Sequence, residues 1–166
     1  MNEAEPVWNE KVNNETVKLA YEEAKSLQPF MSSWSDAVDA KVIAVFGIAS
    51  VLIGAIPAIA GTPDSTWEWL LWLPAALFWA GAGWFSIQAF LTLDFRVGPV
   101  PGKLLEPEWA ELSPEEYRFY RMRDMAKDYS HNRKQINRKA VALWWSIAFV
   151  AAESLALVLA LFAQSL

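Results

Sequence analysis

The chain has 166 residues, of which 54% are hydrophobic and 20% charged, and its net charge is −5. The apolar share is high for a small soluble domain, where roughly 45–50% is typical, and the net negative charge disfavours nucleic-acid binding, which needs a basic excess. There is no cysteine and a single histidine, so disulfide frameworks, thiol chemistry and Cys-based zinc sites are excluded.

Ionisable residues are distributed unevenly along the chain. All 14 Lys and Arg residues lie in two segments, 11–41 and 96–139. Residues 42–93 and 140–166 contain only three ionisable residues: Asp64, Glu68 and Glu153. A soluble protein of this size cannot bury such long uncharged stretches, because small domains leave much of their surface in water. We therefore predict a membrane protein rather than a soluble enzyme.

The first segment, residues 1–41, is predicted to contain a helix over residues 9–41. Its apolar residues recur at near-helical spacing: Val12, Leu19, Leu27, Phe30 and Trp34. Pro29 is expected to kink this helix. The serines that follow, Ser32, Ser33 and Ser35, are expected to mark a second helix start.

Three stretches are long and apolar enough to cross a hydrocarbon core of about 30 Å, which takes about 20 helical residues. These stretches are residues 42–60, 69–93 and 140–162. The predicted fold class is an all-α membrane protein with three transmembrane helices, the first and third having cytoplasmic helical extensions. The predicted segments are the N-terminal helix, a two-span hairpin, a linker with a long charged helix, and the third span: 1–41, 42–93, 94–139 and 140–166.

The positions of the basic residues predict the orientation of the spans. The loop 61–68 and the last four residues contain no Lys or Arg. Because cytoplasmic loops carry the Lys and Arg excess, the N-terminus and residues 94–139 are predicted to face the cytoplasm. The C-terminus is then predicted to lie on the outer side.

A long helix is predicted to begin after the linker 94–112. Ser113, Pro114 and Glu116 form a start signal that combines an N-cap serine, proline at the first helical position and a capping-box glutamate. No Gly or Pro follows, so one helix is expected to continue into the third span. A seam with alternating spacings of three and four runs along it: Met122, Met125, Tyr129, Asn132, Ile136, Lys139 and Leu143. This seam fits either coiled-coil self-association or packing on the N-terminal helix of the same chain.

Charged residues meet at the predicted inner membrane surface, where the first and third spans begin. Asp36 and Asp39 are expected to reach Arg138 and Lys139. One interpretation is a set of interfacial ion pairs with lysine snorkelling. The other is a pocket for a small anion, since Arg and Lys supply charge and Asn132 supplies directional hydrogen bonds. The candidate ligand-binding residues are Asp39, Lys41, Asn132, Arg133, Arg138 and Lys139.

Glu153 is predicted to lie near the middle of the membrane, about 20 Å into the third span. A carboxylate at that depth is costly unless it is neutral or partnered, and such a residue is by default a functional candidate. One interpretation is an assembly contact or a conduction-related group. The alternative is structural hydrogen bonding, with the indole N–H of Trp79 or Trp84 as donor.

The sequence contains no motif that predicts catalysis. It lacks the Gly-rich loops of phosphate-binding proteins, and a single histidine gives little support to a Ser-His-Asp triad or a Cys/His metal site. We therefore predict no enzymatic activity, no metal and no cofactor.

Asp39-Ala40-Lys41 at the mouth of the first span, followed by an apolar run with Gly47, resembles the transmembrane Pycsar effector family. The linker prolines Pro99 and Pro101 and the long helix 117–139, ending with its lysine at the membrane, match the same layout. The resemblance covers about residues 20–166.

This resemblance implies an effector of bacterial anti-phage defence in the inner membrane. It implies that a cyclic mononucleotide made by a partner cyclase is sensed on the cytoplasmic helices, and that homo-oligomeric assembly or opening of the spans then disrupts the membrane. Two other classes stay open from the sequence: a non-catalytic scaffold or assembly subunit, and a small channel or transport component that uses Glu153.

Overall fold

A computed structural model describes residues 13–60, 66–91, 96, 109 and 111–164. Within this part of the chain there are three α-helices and no strands: α1 (Asn14–Ala60), α2 (Thr66–Leu91) and α3 (Pro114–Gln164). The predicted all-helical class is confirmed.

Helix α1 has 47 residues and is capped at its start by Asn13. The Oδ1 atom of Asn13 accepts hydrogen bonds from the backbone N–H groups of Glu15, at 2.9 Å, and Thr16, at 3.3 Å. The helix continues through Pro29, so the second helix start predicted at Ser32–Ser35 is wrong. Proline removes a single backbone donor, and burial of apolar residues on either side of it, among them Val17 and Met31, stabilises the continuous helix. The predicted helical residues 9–12 lie outside the described part of the chain.

Helix α3 has 51 residues and begins as predicted. The backbone N–H of Ser113 donates to Oε2 of Glu116 at 3.0 Å, and the backbone N–H of Glu116 donates to Oγ of Ser113 at 3.3 Å. These reciprocal bonds satisfy two donors that a helix start would otherwise leave unpaired. The capping box and the single long helix after it are therefore confirmed.

The chain divides into two compact units. The first unit comprises Met1–Ser33 and Asp94–Lys134, and the second comprises Trp34–Leu93 and Gln135–Leu166. Both long helices contribute to each unit, whereas α2 belongs to the second unit only.

Small residues allow the three helices of the second unit to pack closely. Ala49, Ala75, Ala82 and Ala89 are fully buried, as expected where helix backbones approach each other. Two apolar clusters result, one around Val38, Val42 and Ala89 and one around Trp72, Ala75 and Leu157. Each cluster contains residues from more than one helix, so both clusters hold helices of the unit together.

Two helical stretches are long and apolar enough to cross a membrane, Asn14–Ala55 and Pro114–Ala163. Their most apolar windows are only 17% and 22% buried within the chain, whereas the core helix of a soluble protein would be mostly buried. Large apolar side chains such as Ile43, Val51 and Leu155 are more than half exposed. The first and third predicted spans are thus candidate membrane-spanning helices, while α2 is not among them in the described part of the chain.

Candidate functional site

An ion pair joins α1 to α3 in the second unit. The Nζ atom of Lys139 donates to Oδ1 and Oδ2 of Asp39 at 2.9 and 2.8 Å and to Oγ of Ser35 at 3.1 Å. The side chain of Lys139 is 5% exposed and that of Asp39 is 27% exposed. The predicted contact between these two helices is therefore present for Asp39 and Lys139.

This geometry favours the ion-pair interpretation for Lys139. An ammonium group has three N–H donors, and Asp39 and Ser35 together provide three acceptor atoms. A ligand could bind the ammonium group only by displacing one of these acceptors. Asp36, the other predicted acidic partner, is exposed.

Asn132 has a different role in the first unit, where it holds the linker. Its Oδ1 atom accepts a hydrogen bond from the backbone N–H of Arg96 at 2.9 Å, and its Nδ2 atom donates to the backbone carbonyl of Arg96 at 2.8 Å. The side-chain amide thus pairs with both backbone groups of one linker residue. Asn132 is buried, so these bonds are protected from competition with water.

Replacing Asn132 by alanine is expected to release the linker at Arg96. The change removes two hydrogen bonds. It should lower the free energy of unfolding by about 1–2 kcal/mol, because the net contribution of one hydrogen bond to stability is about 1 kcal/mol. Hydrogen exchange at the Arg96 amide, followed by mass spectrometry, should become faster by about tenfold or more. The matched control is Asn137→Ala, which changes an exposed asparagine on the same helix. Equal exchange at Arg96 in both variants would contradict the proposed contact.

A cavity of about 370 Å³ lies beside this contact in the first unit. Its walls are mainly apolar and come from α1 and α3, with Leu27 and Met31 on one side and Met125 on the other. Its polar groups come from Gln28, Ser32, Arg96, Asp128, Tyr129 and Asn132. Small-molecule sites typically have this size and this combination of apolar walls with a few polar groups.

The remaining predicted ligand residues lie on the surface. Lys41, Arg133 and Arg138 are exposed, and Nη1 of Arg138 donates a long hydrogen bond to Oε1 of Gln135 at 3.5 Å. None of these three lines the cavity of the first unit. Of the six candidates, Asp39 and Lys139 pair within the second unit, and Asn132 lines the cavity of the first.

Two basic residues of the first unit were not predicted from the sequence. Arg96 lines the cavity, and Arg121 is buried with its Nη1 atom lacking a hydrogen-bond partner among the described residues. Arg121 lies four residues before the seam residue Met125, so its helical spacing placed it on the buried side. Arg96 lies in a linker without periodicity, and no sequence signal connects it to α3.

The seam predicted along α3 packs within the chain. In the first unit Met125 is buried and lines the cavity together with Met31 of α1. In the second unit the seam residue Leu143 packs against the cluster formed by Val38 and Val42 of α1 and Ala89 of α2. These contacts agree with the alternative in which the seam packs on the N-terminal helix of the same chain.

Glu153 is fully buried in the second unit, and neither carboxyl oxygen has a hydrogen-bond partner among the described residues. The predicted donors are wrong. The Nε1 atom of Trp79 donates to Oγ of Ser50 at 3.4 Å, and Trp84 is 61% exposed. The side chain of Trp79 faces α1, where its ring stacks on Phe46. The indole N–H of Trp79 therefore reaches Ser50.

The described residues contain no group of three or more His, Asp or Glu side chains that could hold a metal ion. No protein-family model matches the chain, and no curated protein and no solved structure is similar enough to count as a match.

Proposed function

We propose that this protein is a membrane effector that binds a cyclic mononucleotide on its cytoplasmic helices and then makes the bacterial inner membrane permeable. The observation that carries the proposal is the cavity of about 370 Å³ in the first unit. This unit is built from the segments that also contain most of the basic residues. We propose anti-phage defence as the context, with the nucleotide supplied by a partner cyclase.

The proposed topology has three spans and a cytoplasmic first unit. Helix α2 has 26 residues with Glu68 as its single ionisable residue, so its composition is compatible with a span between those of α1 and α3. The distribution of Lys and Arg supports a cytoplasmic N-terminus and an outer C-terminus. The exposed apolar side chains of the second unit support contact with lipid.

The chemistry of the cavity is suited to a planar ligand with one negative charge. The apolar walls favour a nucleobase, and the guanidinium group of Arg96 favours a phosphodiester. Asp128 and Gln28 offer acceptors for amino or hydroxyl groups of the ligand. Asp128 also disfavours ligands with several negative charges, so a cyclic mononucleotide fits better than a nucleoside triphosphate.

Ligand binding can act on the membrane unit because α1 and α3 each contain residues of both units. A ligand shifts a conformational equilibrium only when it binds one packing arrangement more tightly than another. We propose that the occupied cavity favours an arrangement of α1 and α3 in which several copies assemble or the spans open.

Liposomes loaded with a self-quenched dye test this function directly. We expect purified protein to release dye only when a 3′,5′-cyclic mononucleotide is present on both sides of the membrane, and we expect one base to be preferred. Ala24→Trp, which fills the cavity, should abolish the response. Ser26→Trp, which changes an exposed residue on the same helix, should preserve it.

Two outcomes would overturn the proposal. Equal dye release with and without nucleotide would favour a small channel, and no release with any of the four bases would favour a scaffold. Correct folding of each variant is checked by its monodispersity in detergent before reconstitution.

A further inference from the structure

The second unit contains a row of buried polar side chains on α3. Lys139, Ser146 and Glu153 are separated by seven residues, a spacing that keeps them on one side of a helix. All three are buried. A polar residue in such a position normally has a partner on a neighbouring helix, because an unpaired buried polar group is destabilising.

The first two members of the row have such partners. Lys139 binds Asp39 and Ser35 on α1, as described above. The hydroxyl of Ser146 donates to the backbone carbonyl of Ala82 at 3.1 Å and lies 3.0 Å from the hydroxyl of Ser86, both on α2. Glu153 differs, because neither of its carboxyl oxygens has a partner among the described residues.

Among the described residues, no cationic side chain lies near Glu153 to balance a negative charge. On α1 there is no ionisable residue from Val42 to Ala60, and on α2 the single one is Glu68, itself acidic. On α3 the nearest cationic residue is Lys139, fourteen residues away, or about 21 Å along the helix, and it is already paired with Asp39. A carboxylate at this position would therefore be an isolated buried charge.

A second unpartnered polar group lies in the same packed region. The Nε1 atom of Trp72 has no hydrogen-bond partner among the described residues, and its side chain is buried. Trp72 belongs to the same buried apolar cluster as Leu157, which lies one helical turn after Glu153. An indole N–H can donate to the carbonyl oxygen of a carboxylic acid, so this donor is suited to the neutral form of Glu153.

We propose that Glu153 is a membrane-embedded proton-binding site. The carboxyl group holds a proton while the three helices are packed around it, because the alternative is an isolated carboxylate without water, donor or cation. Water that enters when the helices separate would accept this proton. The resulting carboxylate would then favour passage of cations over anions through the opened unit. The proton site rests on the membrane embedding proposed above but does not depend on the nucleotide.

Labelling with N,N′-dicyclohexylcarbodiimide, an apolar carbodiimide, tests this site in the full-length protein. The carboxyl O–H adds across one C=N bond: its oxygen bonds to the central carbon and its proton goes to nitrogen. The acyl group then migrates to nitrogen and gives a stable N-acylurea, with nothing released. We expect a mass increase of one carbodiimide molecule on the peptide that contains Glu153. Labelling should decrease as the pH is raised from mildly acidic to alkaline.

The controls separate a buried protonated acid from an accessible one. Asp36 is exposed, so its peptide should remain unlabelled, and a water-soluble carbodiimide should show the reverse preference. Glu153→Gln should abolish the label, and its unfolding midpoint should lose a pH dependence that the unchanged protein shows.

Two results would overturn the proposal: absence of label on Glu153, or protection of Glu153 by Na⁺ at constant pH, which would assign the site to a metal cation. Successful labelling without nucleotide-dependent dye release would leave the proton site standing and would count against the proposed function alone.

Discussion

Replacing Asp39 by alanine is expected to destabilise the second unit by about 3 kcal/mol, because it leaves the ammonium group of Lys139 buried without its counter-charge. Lys139→Met is expected to cost less, about 1 kcal/mol, since the remaining carboxylate is partly exposed and the apolar stem of the side chain is kept. The double variant should be more stable than Asp39→Ala alone. The midpoint of thermal unfolding in detergent, followed by circular dichroism, measures all three.

Asp36→Ala is the matched control for this prediction. It removes an exposed carboxylate from the same helix, three residues before Asp39, and it should change stability by less than about 0.5 kcal/mol. If Asp36→Ala and Asp39→Ala were equally stable, the buried ion pair would not contribute to the stability of the unit.

Gly81→Ala is expected to destabilise the contact between α2 and α3 by about 2 kcal/mol, because the added carbon forces side chains out of a packed interior. A Cβ atom at Gly81 would lie 2.5 Å from two ring atoms of Phe149. The ring has little room to move, since its centroid lies 6.1 Å from that of Phe78 and 5.5 Å from that of Phe85. The same unfolding measurement in detergent gives the effect.

Gly47→Ala provides the comparison for Gly81→Ala. A Cβ atom at Gly47 meets nothing within 4 Å, so alanine there should raise helix stability by up to about 1 kcal/mol. Combining Gly81→Ala with Phe149→Leu should cost less than the sum of the two single changes, because the smaller side chain relieves the clash. Additive costs would show that the clash is relieved elsewhere.

Local sequence signals predicted the helices of this protein well. The Ser113–Glu116 capping box depends only on residues three positions apart, and both of its hydrogen bonds are formed. Asp39 and Lys139 could be paired from sequence because each stands within three residues of the start of an apolar run, which places both at a similar depth. The second start near Ser32 failed because burial of Val17 and Met31, on either side of Pro29, outweighs the local preference for a break.

Contacts that depend on helix rotation or on the linker could not be predicted from the sequence. The position of Trp79 along α2 predicted a depth in the membrane similar to that of Glu153, which would allow a hydrogen bond. The direction of the Trp79 side chain, however, follows from packing of the whole helix against α1. The contact between Asn132 and Arg96 joins a side chain to a backbone 36 residues away. No spacing rule describes such a contact, because any linker residue can offer the same two backbone groups.

The ion pair between Asp39 and Lys139 constrains how the second unit can move. The pair connects α1 to α3 at one end of the helical bundle of this unit. Toward the other end, Trp72 and Leu157 lie in an apolar cluster. Sliding α3 along α1 would break the ion pair between Asp39 and Lys139. Separating α1 and α3 at the opposite end of the bundle would leave the ion pair intact. Separation of the helices at the end opposite the ion pair is therefore the motion that this pair opposes least.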